Sequence, residues 1–133
     1  MTGICVDTSA YSNFRRGETR VVEQIDRARW IGVPSIVVGE LHSGFRAGSR
    51  FDRNLGDLRE FLRQPVVQVL AVDEQVARIY GEIVSELRAA GRPLPTNDIW
   101  IAATAVRFGA TVLTFDAHYR KIGRVGSIVL GSA

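Results

Sequence analysis

The 133-residue chain is short of cysteine, lysine, histidine and long apolar runs, and each shortage removes a class of function. A single cysteine, Cys5, cannot form an internal disulfide, which excludes a stapled secreted scaffold and fits a reducing, cytoplasmic setting. No uncharged apolar run approaches the roughly 20 residues a membrane helix requires. The opening Met1-Thr2-Gly3-Ile4-Cys5-Val6-Asp7 lacks the basic start and apolar stretch of a secretory signal. The only histidines, His42 and His118, lie far apart in the chain, so a zinc centre has no ligand spacing, and both read as peripheral groups. A GxxxxGK loop and a GxGxxG fingerprint are both missing, which disfavours a P-loop hydrolase and a dinucleotide-binding dehydrogenase. No nucleophile-elbow sequence supports a Ser/His/Asp triad. Without repeats, low-complexity tracts or linkers, residues 1–133 read as one domain.

What is present begins with arginine. Sixteen of the 17 basic residues are Arg and only Lys121 is lysine, against 14 acids and a net charge of +3. A GC-rich codon bias explains that choice, yet the guanidinium fork also suits phosphate.

Short β-rich apolar runs alternate with segments of helical period. Ile4-Cys5-Val6, Val33-Pro34-Ser35-Ile36, Val66 to Leu70, Thr111 to Thr114 and Ser127 to Leu130 read as strands. Apolar stripes predict helices over 19–30, 37–47, 55–62, 76–87 and 97–108, the fourth stopped by Gly91 and Pro93. This alternation predicts an α/β fold, a parallel sheet of about five strands covered on both faces by helices. Right-handed crossovers bring the C-terminal strand ends to one edge, where such sheets build their sites.

Four acids differ from the rest because apolar residues surround them: Asp7, Glu40, Asp98 and Asp116. Asp7 and Asp116 follow the first and fourth strands. Glu40 is expected in the first turn of the helix leaving the second strand, and Asp98 in the first turn of the helix returning to the fourth. All four therefore belong to the same edge. Asp7, Asp98 and Asp116 also stand where helices begin, and a capping carboxylate stabilises a helix start by about 0.5–2 kcal/mol. Glu is a poor cap, so Glu40 resists that explanation. Carboxylates sharing one pocket repel unless protonated or neutralised, and an all-oxygen ligand set suits Mg²⁺ or Mn²⁺. Thr8, Ser9, Asn97 and Thr114 stand beside these acids as hydrogen-bonding groups.

Val6-Asp7-Thr8-Ser9-Ala10 resembles the start of a PIN domain, more narrowly of a VapC-type toxin ribonuclease. Ser35-Ile36-Val37-Val38-Gly39-Glu40-Leu41 resembles the second acidic motif of that family. Leu94-Pro95-Thr96-Asn97-Asp98 with Ile101-Ala102-Ala103-Thr104-Ala105 resembles the third, and Leu113-Thr114-Phe115-Asp116-Ala117-His118-Tyr119 the fourth. The resemblance spans nearly the whole chain in order and spacing. In many relatives a further acid accompanies the last motifs, and Asn97 beside Asp98 makes no fifth carboxylate here. The resemblance implies a three-layer α/β/α PIN-like domain with strand order 3-2-1-4-5. It implies a Mg²⁺- or Mn²⁺-dependent endoribonuclease with Asp7, Glu40 and Asp98 as core ligands and Asp116 serving a second ion or the attacking water. It implies a growth-inhibiting toxin, a homodimer neutralised by a VapB-like antitoxin whose helical segment lies on the apolar 45–65 region. Arg15, Arg16, Arg46, Arg50, Arg53, Arg92 and Arg120 lie near the expected rim and are candidates for the RNA backbone. Two other readings remain open: a non-catalytic interaction or DNA-bound regulatory module, and an α/β phosphatase-like enzyme. The second would want a lysine after its last strand, and Lys121 does not stand there.

Overall fold

A computed structural model describes residues 3–131. Five strands, β1 (Ile4–Val6), β2 (Ile31–Pro34), β3 (Val67–Leu70), β4 (Thr111–Thr114) and β5 (Ser127–Val129), form one sheet in the order β3-β2-β1-β4-β5. Every pairing is parallel, with Cys5 opposite Gly32 on one side and Val112 on the other. β1 and β2 are buried throughout, as strands covered on both faces must be. The helices are α1 (Thr8–Arg15), α2 (Thr19–Arg27), α3 (Ser35–Ala47), α4 (Phe51–Leu62), α5 (Glu74–Ala89) and α6 (Thr96–Phe108), with a 3₁₀ helix at Ala117–Lys121. Sequence and structure agree on the fold class and on the strand order.

Several boundaries differ, and one of them moves a site residue. β2 begins two residues before the expected Val33, because Ile31 N–H donates to the Val66 carbonyl at 2.7 Å and so joins the ladder. The strand ends at Pro34, which stands at the N-cap of α3 with extended backbone, φ −56° and ψ 141°. α3 therefore starts at Ser35 rather than Val37, and Glu40 lies in its second turn instead of its first. α2 stops at Arg27 rather than residue 30, since Ala28 turns to extended backbone to deliver the chain into β2.

The core runs through the sheet, with Val6, Val33, Val112 and Leu113 wholly buried. Tyr11 meets Phe61 edge-on at 5.2 Å, fastening α1 to α4, and Tyr80 stacks on Trp100 at 3.8 Å, fastening α5 to α6. Only three buried polar or charged side chains occur among the described residues: Asp7, Thr104 and Thr114. Two of them are sequence-predicted site residues. Among the described residues no helix is long and apolar enough to cross a membrane.

The sheet centre leaves no room at Gly32, where a Cβ would run into the Leu70 side chain and the Trp30 ring. Gly81 in α5 is exposed and has nothing within 4 Å of a Cβ position. Gly32→Ala is expected to destabilise by about 1–3 kcal/mol through overpacking. Gly81→Ala is expected to stabilise by about 0.5–1 kcal/mol by improving helix propensity. Urea denaturation of the two variants beside the parent checks the opposite signs.

Candidate active site at the sheet edge

β1 ends at Val6, so Asp7 emerges at the C-terminal edge and caps α1. Its Oδ1 accepts from the Ala10 N–H and from the Ser9 hydroxyl, each at 2.8 Å. Its Oδ2 accepts from the Thr114 hydroxyl at 2.5 Å. Thr114 closes β4, the neighbour of β1, so this bond ties two strand ends together. The Thr114 oxygen also accepts from Asp116 N–H at 2.9 Å, and the Ser9 oxygen accepts from Phe115 N–H at 3.0 Å. The loop leaving β4 is thus turned by the same hydroxyls that hold Asp7. Burial pushes the Asp7 carboxyl above the ordinary range; the Thr114, Ala10 and Ser9 bonds oppose that shift, and the Asp98 charge adds to it.

Glu40 reaches the cleft from α3. Its Oε1 accepts from the Thr8 hydroxyl at 2.6 Å and its Oε2 from Asn97 Nδ2 at 3.1 Å. One carboxylate therefore links α1, α3 and α6. Asp98 lies in the first turn of α6. Burial raises its carboxyl as well; the contact with His118 opposes the shift, and the Asp116 and Glu40 charges reinforce it. Asp116 caps the 3₁₀ helix by accepting His118 N–H at 2.9 Å. The His118 ring returns to the acids, its Nδ1 at 3.1 Å from Asp116 Oδ2 and 3.4 Å from Asp98 Oδ2.

The four acids, with Tyr119 and Ser12, line one cleft of about 320 Å³. Asp7 and Glu40 have both oxygens engaged by neutral donors. The ligand atoms of Asp98, Asp116 and His118 all lie within 4.8 Å of one another, the one such group among the described residues. Asp7 and Asp98, raised first by burial and then by neighbouring carboxylates, with no basic group beside them but His118 among the described residues, fit a hard divalent cation. The sequence pattern leaves His118 at the periphery. Its one sequence signal is its place two residues after Asp116, where a 3₁₀ turn brings the ring back over the acid. Zinc spacing is the wrong criterion, because the imidazole joins carboxylates rather than a second histidine.

The arginines divide. Arg15, Arg16, Arg50 and Arg53 line a second cavity of about 450 Å³ that shares Ser12 with the acid cleft. Arg46 lies over the Phe51 ring at 4.7 Å. Arg92 and Arg120 are exposed and line neither cavity. In the 45–65 region Leu58 and Phe61 are core, while Phe45, Phe51, Leu55 and Leu62 are half-buried.

Residues 4–125 match the PIN domain. The chain is 35% identical over 99 residues to Ribonuclease VapC4 of Mycobacterium tuberculosis, covering 74% of this chain and 76% of that protein. It is 33% identical over 125 residues to the plasmid stability protein StbB of Pseudomonas syringae pv. tomato, covering 85% and 87%. The crystal structure of VapBC2 from Rickettsia felis, bound to a DNA fragment from its promoter, shares the fold with a TM-score of 0.84 at 21% identity over 95% of this chain and 97% of that one. The chain belongs to the PIN-domain family, within its VapC group.

Proposed function

We propose that this chain is an endoribonuclease that hydrolyses RNA phosphodiester bonds with Mg²⁺ or Mn²⁺. In this reading it acts as a growth-inhibiting toxin and is neutralised by a VapB-like antitoxin. The observation that carries the reading is the Asp98, Asp116 and His118 cluster, facing Asp7 and Glu40 across one cleft. The names of the VapC relatives support it. The same reading takes residues 1–133 as one cytoplasmic domain that pairs as a homodimer.

A divalent cation bound there would supply an activated water and offset charge on the departing oxygen. Asp98, Asp116 and His118 would hold it, with Asp7 and Glu40 available beside them. The protein's own work is to keep these groups in place. Ser9 and Thr114 fix both oxygens of Asp7, and Thr8 and Asn97 fix both oxygens of Glu40. Without bound positive charge the acid cleft repels a phosphodiester, so RNA bound in the absence of metal is held by the arginine cavity. Arg15, Arg16, Arg50 and Arg53 supply the attraction nearby, and Arg46, Arg92 and Arg120 add to a broader basic surface. The half-buried Phe45, Phe51, Leu55 and Leu62 offer an apolar face for the antitoxin.

Three outcomes are expected of the purified protein. Asp98→Asn abolishes cleavage of cellular RNA in Mn²⁺, whereas Thr114→Val, which removes the hydroxyl that supports Asp7 and the loop carrying Asp116, reduces it by about 10- to 100-fold. Gel assays of total RNA separate the two, and parental cleavage that survives EDTA or Asp98→Asn sinks the reading. His118→Ala raises the Mn²⁺ concentration giving half-maximal activity by about 10-fold, and the Mg²⁺ concentration by less, since an imidazole donor favours the transition ion. Single-stranded RNA affinity in EDTA falls with added salt, and Arg15→Ala with Arg16→Ala flattens the slope by about 0.7 for each phosphate no longer neutralised.

A further inference from the structure

The second cavity carries more than a diffuse attraction for RNA. It adjoins the acid cleft through Ser12, one helical turn along α1 from Ser9, whose hydroxyl holds Asp7. Its volume of about 450 Å³ lies within the usual small-molecule range of about 300–1,000 Å³. Its chemistry is mixed: Arg15, Arg16, Arg50 and Arg53 are joined by one carboxylate, Asp57, one amide, Asn54, and two aromatic residues, Phe45 and Tyr11. A site that only followed the sugar–phosphate backbone would have no use for a carboxylate.

We propose that this cavity is the subsite for the nucleotide next to the scissile bond and that it selects guanine. The proposal rests on the nuclease reading and names its sequence preference. Guanine presents O6 and N7 as acceptors, matched by an arginine fork, and on its Watson–Crick edge two adjacent N–H donors, matched by one carboxylate. Adenine offers no oxygen acceptor, and uracil offers a single donor between two acceptors. Asp57 and Arg15 stand 3.4 Å apart with side chains 39% and 42% exposed. A surface pair of that kind is weak and yields to a ligand that serves both partners. Phe45 supplies an apolar surface against which an unstacked base can lie.

Tyr11 adds an independent sign. It lines the cavity, is 2% exposed, and its hydroxyl is buried without a hydrogen-bond partner. Such groups are rare in folded proteins. The ring is held against Phe61, so the hydroxyl is fixed in place. Burial raises its pKa above the ordinary phenol value, opposed by Arg15 and reinforced by Asp57, so the hydroxyl stays protonated beside the two groups assigned to the base. For a ribose or phosphate oxygen to accept from it, the cavity wall has to give at Tyr11.

The test measures anisotropy of labelled single-stranded RNA tetramers, each carrying one G, A, C or U in an otherwise constant sequence, in EDTA so that binding is read without cleavage. The parent is expected to bind the G-containing tetramer about 10-fold more tightly than the others. Asp57→Ala removes that preference and leaves the other three affinities in place. Arg50→Ala with Arg53→Ala weakens all four, and Tyr11→Phe weakens all four less. These side chains, Tyr11 apart, lie outside the core, and thermal melts verify that the variants fold. Equal binding of the four tetramers by the parent, or a G preference retained in Asp57→Ala, overturns the proposal. RNA binding untouched by Arg50→Ala with Arg53→Ala assigns the cavity to a protein segment and overturns it too. Cleavage ends mapped in Mn²⁺ separate the two readings: G-selective binding without cleavage defeats the nuclease reading alone, and cleavage without G preference defeats the subsite alone.

Discussion

Everything at the active edge answers to one constraint: like charges must be held close together without being cancelled. Two unit charges 4 Å apart repel by about 4 kcal/mol at an effective dielectric near 20. An arginine in the cleft would remove that cost but would also occupy the place of a cation. The chain uses neutral donors instead. Hydroxyls of Ser9, Thr114 and Thr8, the Asn97 amide and the Ala10 N–H hold Asp7 and Glu40 while leaving their charge available. The upward shifts of Asp7 and Asp98 come first from burial and are reinforced by the neighbouring carboxylates. The strain is local and electrostatic, and it has the sign that a cation relieves.

That solution works only with this strand order. Thr114 can donate to Asp7 because β4 lies beside β1, so two strand ends separated by most of the sequence meet. The same hydroxyl oxygen accepts from Asp116 N–H and sets the direction in which the chain leaves β4. That direction leads into the 3₁₀ helix, which carries His118 back over Asp98 and Asp116. Fold and site are therefore one hydrogen-bonded structure. Replacing a buried threonine by an isosteric valine changes the chemistry without changing the shape.

The sheet is legible in the sequence because buried parallel strands read as β-branched apolar runs and their connections as helical stripes. The four acids are legible because carboxylates flanked by apolar residues stand out from solvated ones. Two features depend on backbone details that such patterns do not encode. Glu40 moves by half a turn because Pro34 ends β2 early, a proline that periodicity treats as one more apolar position. His118 escapes notice because Asp116 is the extended cap of the 3₁₀ helix and accepts the His118 N–H, which folds the ring back onto the acid; regular helical spacing would separate the two. The arginines are the least legible. Their number is plain in the sequence, but which of them share a cavity depends on how α1 and α4 pack, through Tyr11 and Phe61.

α1 shows how the two charge regions coexist. It is eight residues long, about 12 Å at 1.5 Å per residue. Asp7 caps its start, and Arg15 in its last turn is followed by Arg16 at its C-cap. A helix dipole favours negative charge at the N-terminus and positive charge at the C-terminus, so this arrangement stabilises the helix with or without a ligand. The net charge of +3 conceals it: with four acids committed to the cleft, the 17 basic residues face only ten others. One short helix thus makes a charge gradient, from a carboxylate at its start to two guanidinium groups at its end. A polyanion is drawn to one end of that gradient and rejected by the other until the acids are matched by a cation. In the proposed reading, cation before RNA is the order that the placement of charge on α1 favours, before any detail of the chemistry is considered.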